Sequence, residues 1–340
     1  MQSNDTLAEN AHAVLLPAFA TTELSPAVSK FLSHGGCSIL LGESRNEYVA
    51  REMNVQRQQQ ESVETFLTVV TAAKNLAGDL IVAVDQEIAG IQRLHKLVTP
   101  FPSFHNFITN PIRSFEIACA DIAIQAKQLG VNCFLAPILD NVTGSNPWLQ
   151  NRTWSTNVDI ITTFTSAFIR GVQSQGVIAT AKHFPGFSNI PLDPAIHADA
   201  EMIASAEDVE ANLRPFIAAV HQNVEMMMTG PAPVNAIDPT RPASLSLSVN
   251  DLLRNKLNFS GVILTDDLDA QATLRHRSIS ACAIEALNVG ADLLLIADIG
   301  DHIDQIVTSI QDAVHSGWLP EKRLANAAQK VHDLAHKYSH

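Results

Sequence analysis

Val177-Ile178-Ala179-Thr180-Ala181-Lys182-His183-Phe184-Pro185-Gly186 is the stretch whose reading decides the fold. Its first residues are apolar and partly β-branched, the pattern of a buried strand. The run then ends in a cation and an imidazole, and Pro-Gly turns the chain. A buried strand that delivers Lys182 and His183 at its carboxyl end is what the active face of an α/β barrel requires. A single strand of this kind could equally be one that has reached the surface, so the weight rests on recurrence.

The pattern does recur. Apolar runs occupy Ala13–Ala18, Cys37–Leu41, Leu80–Asp85, Asn132–Asp140, Val177–His183, Val224–Thr229, Val262–Asp266 and Asp292–Asp298. Stretches with helical spacing lie between most of them, clearest at Ser62–Ala77, Phe115–Leu129, Asn157–Gln175, Ala206–Gln222 and Ile279–Val289. Strands alternating with helices predict a parallel sheet, and about eight such units predict a closed (β/α)₈ TIM barrel. No linker, repeat or low-complexity tract interrupts residues 1–340, so one barrel domain is expected. Polar residues gather where the runs end: Asp85-Gln86-Glu87, Asp140-Asn141, Lys182-His183, Thr229-Gly230 and Thr265-Asp266-Asp267. In a barrel these ends share one basin.

Composition narrows the function class. A hydrophobic fraction of 46% with 17% charged residues is that of an ordinary globular protein. The formal charge of -13 leaves no basic stripe for phosphates, which argues against a nucleic-acid partner and fits a small neutral or cationic substrate. Cys37, Cys119, Cys133 and Cys282 lie far apart and read as buried free thiols. No basic leader followed by an apolar segment opens the chain and no apolar run approaches a membrane span, so a cytoplasmic location is expected. No zinc-protease, dinucleotide or P-loop motif is present.

Three segments carry a resemblance: Val84-Asp85-Gln86-Glu87 with Gln92-Arg93, then Lys182-His183-Phe184-Pro185-Gly186, then Leu264-Thr265-Asp266-Asp267-Leu268. Between them run Ala136-Pro137-Ile138-Leu139-Asp140, Asn146-Pro147, Arg152, Leu213-Arg214-Pro215-Phe216, Pro242-Ala243-Ser244-Leu245-Ser246 and Ala286–Asp292. Together they resemble the single-barrel bacterial β-N-acetylhexosaminidase branch of glycoside hydrolase family 3. The resemblance implies that Asp266 is the nucleophile, which must be ionised to attack an anomeric carbon. It implies that Asp85, Lys182, His183, Arg93 and Arg152 grip the terminal sugar. A carboxylate such as Asp85 can accept two hydroxyl hydrogen bonds. Other readings stand beside these: a solvated strand-end carboxylate or a helix cap for Asp266, a supporting acid or a helix cap for Asp267, a structural salt bridge for either arginine, and a Schiff-base amine for Lys182.

The branch carries an Asp-x-His dyad as acid/base in the loop after the Lys-His-Phe-Pro-Gly segment. Here Asp193 stands where that Asp belongs, Ala195 takes the histidine position, and His197 follows two residues later. Imidazole suits both donating and accepting a proton near neutrality, so Asp193 and His197 are the expected pair, with a surface histidine as the alternative. Other departures fall at the rim: Ile88-Ala89-Gly90 for Gly-Gly-Arg, Phe187-Ser188 for His-Gly, and Thr229-Gly230 for Ala-His. The expected activity is removal of a terminal β-N-acetylhexosamine with retention of configuration, on a small carbohydrate substrate and without metal or organic cofactor. Glycosyl transfer or phosphorolysis on the same site, and a sugar-binding regulatory barrel, are the rivals.

Overall fold

The computed structural model describes residues 2–101, 107, 108, 110–297 and 302–339. Strands β1 (Leu15–Phe19), β2 (Ser38–Leu41), β3 (Ile81–Val84), β4 (Cys133–Phe134), β5 (Ile178–Phe184) and β6 (Met226–Thr229) are followed by a small hairpin, β7 (Pro233–Val234) and β8 (Asp238–Pro242), then by β9 (Val262–Thr265) and β10 (Leu294–Ile296). The parallel sheet runs β10-β1-β2-β3-β4-β5-β6-β9. Its two ends meet, because Leu264 bridges Leu293 and the Thr265 amide donates to the Leu293 carbonyl at 3.0 Å. A nearly closed TIM-like barrel results. Each of the eight expected runs overlaps one strand, β1 and β5 reaching one residue further, to Phe19 and Phe184; the end of the last run, at Asp298, lies outside the described residues.

The strands read as continuous apolar runs because both faces are covered. Residues of β2, β3, β5, β6 and β9 are all buried, one face filling the barrel and the other meeting the helical ring. The five expected helices form at Val63–Ala77, Ile112–Gln128, Val158–Gln173, Ala206–His221 and Ile279–Val289. Their starts follow cap chemistry: Ser62, Asn157, Ser205 and Ser278 each accept a hydrogen bond from the first-turn amides. Helices at Gln2–Ala13 and Glu321–Tyr338 pack together outside the barrel. At the floor, the Asn132 side chain accepts from the Val82 amide at 2.7 Å and donates to the Leu80 and Tyr338 carbonyls. That leaves the opposite, carboxyl face open for chemistry. All four cysteines are free and buried. Among the described residues, no helix is long and apolar enough to cross a membrane.

Candidate active site

Asp85, Lys182, His183 and Asp266 line one cleft of about 530 Å³ at the carboxyl face. The sheet order puts β3 and β9 opposite one another: β4, β5 and β6 separate them on one side, β2, β1 and β10 on the other. Asp85, just after β3, therefore faces Asp266, just after β9, across the mouth.

A buried charge network forms the β3 wall. Lys182 Nζ lies 2.6 Å from Asp85 Oδ1 and 2.9 Å from Glu87 Oε1. Arg152 clamps Glu87 with both arms, Nη2 at 2.6 Å and Nε at 3.1 Å, and its Nη1 donates to Tyr48 Oη at 3.0 Å. Burial opposes ionisation throughout, yet the Arg152 and Lys182 charges hold Glu87 well below the ordinary carboxylate range. The Asp85 and Glu87 charges likewise overcome burial and push Lys182 up, so it is a fixed ammonium with no neutral amine for a Schiff base. A Cβ at Gly90 would lie 1.8 Å from Glu87 Oε2, so the glycine is what lets the carboxylate meet its partners.

Asp266 is arranged differently. Its Oδ1 accepts the Asp267 amide at 2.8 Å, whereas Oδ2 is buried without a hydrogen-bond partner. His183 Nε2 lies 3.8 Å from that free oxygen. Asp140 holds the imidazole through Nδ1 at 2.8 Å and also accepts the His183 and Phe187 amides, so Nδ1 carries the proton. Trp148 packs on the ring at 4.4 Å between centroids. Burial, then the charges of Asp269 and Asp266, push the Asp267 carboxyl well above the ordinary carboxylate range.

The Glycosyl hydrolase family 3 N-terminal domain profile matches residues 25–334. The chain belongs to glycoside hydrolase family 3. The β-hexosaminidase of Nitrosomonas eutropha is 29% identical over 266 residues, covering 75% of this chain and 76% of that one. That of Stenotrophomonas maltophilia K279a is 26% identical over 308 residues, covering 88% and 87%. The Paenibacillus sp. FPU-7 family 3 β-N-acetylglucosaminidase superposes with a TM-score of 0.86 at 24% identity, over 98% of this chain but 62% of that one. The Beutenbergia cavernae β-N-acetylhexosaminidase gives 0.83 at 21% identity, over 97% and 98%. The protein is thus a family 3, hexosaminidase-like glycoside hydrolase.

Three residues expected in the family 3 site, Arg93, His197 and Asp193, do not line the cleft. Arg93 does not line the cleft; it is fully buried behind it, its guanidinium paired with both oxygens of Glu61 at 2.8 and 2.9 Å and its Nε donating to the Gly42 carbonyl at 2.7 Å. The salt-bridge alternative is the geometry found. Burial raises the Glu61 pKa, but hydrogen bonds from His95 and Arg93 and the Arg93 charge outweigh it and hold the carboxyl at about 2. The resulting stability is complete above the ordinary glutamate value and is lost as pH falls through about 2. Arg93→Ala, which strands Glu61, is expected to lower the unfolding free energy by about 3–5 kcal/mol. An unchanged midpoint in denaturant would return Arg93 to a binding role.

His197 is the second. It is exposed and does not line the cleft; Ala195 and Ile196 do. Asp193 spends its carboxylate on the Ala195 amide at 2.9 Å, and its carbonyl accepts the His197 amide at 3.0 Å, which makes a capped turn rather than a dyad. Two rim departures prove to be one packing solution. A Cβ at Gly230 would lie 2.0 Å from the buried ring of Phe187, so the aromatic fills the space that a side chain at 230 would need. Sequence reasoning gave no role to Tyr48, Asp140 or Glu43. Glu43 lines the cleft, and its Oε2 is buried without a partner.

Proposed function

We propose that this hydrolase is a retaining exo-β-N-acetylhexosaminidase that removes a terminal β-linked N-acetylhexosamine through a covalent glycosyl-enzyme. The observation that carries the reading is the unpartnered Oδ2 of Asp266, facing a wall of charge-balanced polar groups across the cleft. In this proposal Asp85, Lys182, His183 and Arg152 hold or brace the sugar while Asp266 attacks the anomeric carbon. Proton delivery is assigned to His197, with Asp193 as its partner once the turn has released the Ala195 amide. The printed names of the relatives, β-hexosaminidases, support the substrate class.

The displaced histidine favours one second reading, transfer of the sugar to an acceptor that needs little proton assistance. One experiment addresses both. The purified chain is given p-nitrophenyl N-acetyl-β-glucosaminide with and without inorganic phosphate, and the first-formed product is followed by NMR. Release of β-N-acetylglucosamine before mutarotation, with or without phosphate, is the expected result. A glycosyl phosphate as main product would establish transfer. Sugar binding without turnover would leave a regulatory barrel.

A further inference from the structure

Among the described residues that line the cleft, two carry a buried side-chain oxygen with no hydrogen-bond partner: Asp266 Oδ2 and Glu43 Oε2. A buried polar atom left without a hydrogen-bond partner is costly and invites a ligand partner. For Asp266 the partner is the anomeric carbon. Glu43 lies just beyond β2, on the strand next to β3, and so stands beside Asp85 rather than beside Asp266.

Its position is rigid. The carbonyl of Gly42 accepts both Arg93 Nε at 2.7 Å and Arg57 Nη2 at 3.0 Å, and the Gly42 amide donates to Phe19. On the other side, Ser44 caps the helix Arg45–Ala50 in a reciprocal bond with Glu47. Glu43 is thus fixed between a clamped carbonyl and a helix cap, the kind of support that holds a binding group in place. Arg93 braces the cleft wall from behind through this clamp.

The charges around Glu43 are already matched. Lys182 and Arg152 face Asp85 and Glu87, and Arg93 is satisfied by Glu61. From its own helix come Tyr48 and the exposed Arg45, and Asp267 reaches it from the β9 side. The remaining cation of the cleft lining, Arg45, is exposed and lies over the Tyr48 ring, and it makes no ion pair with Glu43. Burial first, then the Asp85 and Glu87 charges, raise its pKa to about 8 against the pull of Arg93 and Lys182. At neutrality it carries a proton and can donate.

We propose that Glu43 is a substrate-contact residue that donates a hydrogen bond through Oε2 to a ring-hydroxyl oxygen of the terminal sugar, at the end gripped by Asp85. A donor beside an acceptor selects for a hydroxyl at that end and against its absence. The proposal rests on the hexosaminidase reading.

Wild type, Glu43→Ala and Glu43→Gln are compared on p-nitrophenyl N-acetyl-β-glucosaminide and its monodeoxy analogues. Glu43→Ala is expected to raise KM about tenfold with kcat changed less than about threefold. It should also cut about tenfold the discrimination against one monodeoxy analogue. Glu43→Gln keeps an N–H donor and should stay within about threefold of wild type in KM. The variant also lacks the titrating proton. Wild-type kcat/KM should therefore fall as pH rises through about 8, where Glu43 loses its proton, and Glu43→Gln should not show that fall.

Wild-type KM and analogue discrimination in a folded Glu43→Ala would overturn the proposal. So would a loss in kcat confined to substrates with poor leaving groups, which would make Glu43 the acid instead. If wild type itself neither binds N-acetylglucosamine nor turns over the aryl glycoside, the hexosaminidase reading fails first, and calorimetric binding separates that outcome from a failure of Glu43 alone.

Discussion

Asp266→Asn is expected to lower kcat by roughly 10⁴-fold or more, the scale on which removing a covalent nucleophile acts. The substitution is close to isosteric. Its carbonyl oxygen can keep the bond from the Asp267 amide, so the loop after β9 has no reason to move. What is lost is the anionic lone pair at Oδ2, 3.8 Å from His183 Nε2 and otherwise unpartnered. A neutral amide cannot form the glycosyl ester, so a fluorinated mechanism-based trap should add mass to wild type and none to the variant.

Stability supplies the control. The Asp266 charge is among the causes that push Asp267 up, so neutralising it removes a repulsion, and the variant's Tm should not fall. An inactive protein with an undiminished Tm and intact N-acetylglucosamine binding locates the defect in chemistry. Near-normal turnover, or a covalent adduct at another residue, would remove Asp266 from the nucleophile's role.

Where the chain was legible and where it was not follows from physics. The barrel strands are covered on both faces, so they print as unbroken apolar runs and can be read directly. The hairpin of β7 and β8 escaped because Asp238–Pro242 is largely exposed and polar, with Pro239 second and Pro242 last. At the site, Lys182-His183 and Asp266 were readable because polar residues recur at the ends of apolar runs, and a barrel brings those ends to one face. Glu43 obeys the same rule two residues past Leu41, but Ser44-x-x-Glu47 explains nearby polar residues as a helix cap and hides it. Arg93 misled in the opposite sense. It sits next to the Asp85 motif in sequence, yet its side chain turns to Glu61 behind the wall, a direction no one-dimensional pattern encodes. Asp140 ends its own run, but its value lies in holding a histidine on the next strand.

His197→Ala is expected to slow glycosides with sugar leaving groups by roughly 10²-fold or more while changing activated aryl glycosides less than about threefold, because only the former need a proton in the transition state. The turn at residues 191–199 has to move for this to hold, and its restraints are few. Ile190 is anchored to Ser145 and Met202 to Pro233 at 2.8 Å each, which fixes the ends. Between them, Asp193 holds the Ala195 amide, Ala272 donates to the Pro194 carbonyl at 2.9 Å and Gln271 to Ala195 at 3.4 Å. At about 0.5–1.5 kcal/mol net for each bond, releasing these three while the Ile196 and His197 amides stay on the Asp193 carbonyl costs about 1.5–4.5 kcal/mol, within reach of substrate binding energy. External azide should then rescue His197→Ala, since a small anion attacks the glycosyl-enzyme without a general base. Asp193→Ala should give the same profile more mildly, the imidazole being kept and its support lost. Ala195→His in the His197→Ala background should recover turnover of sugar leaving groups, because residue 195 already lines the cleft. If His197→Ala matches wild type on both substrate classes, the histidine is a bystander on the surface where it now stands, and the weight passes to transfer chemistry that dispenses with a strong acid.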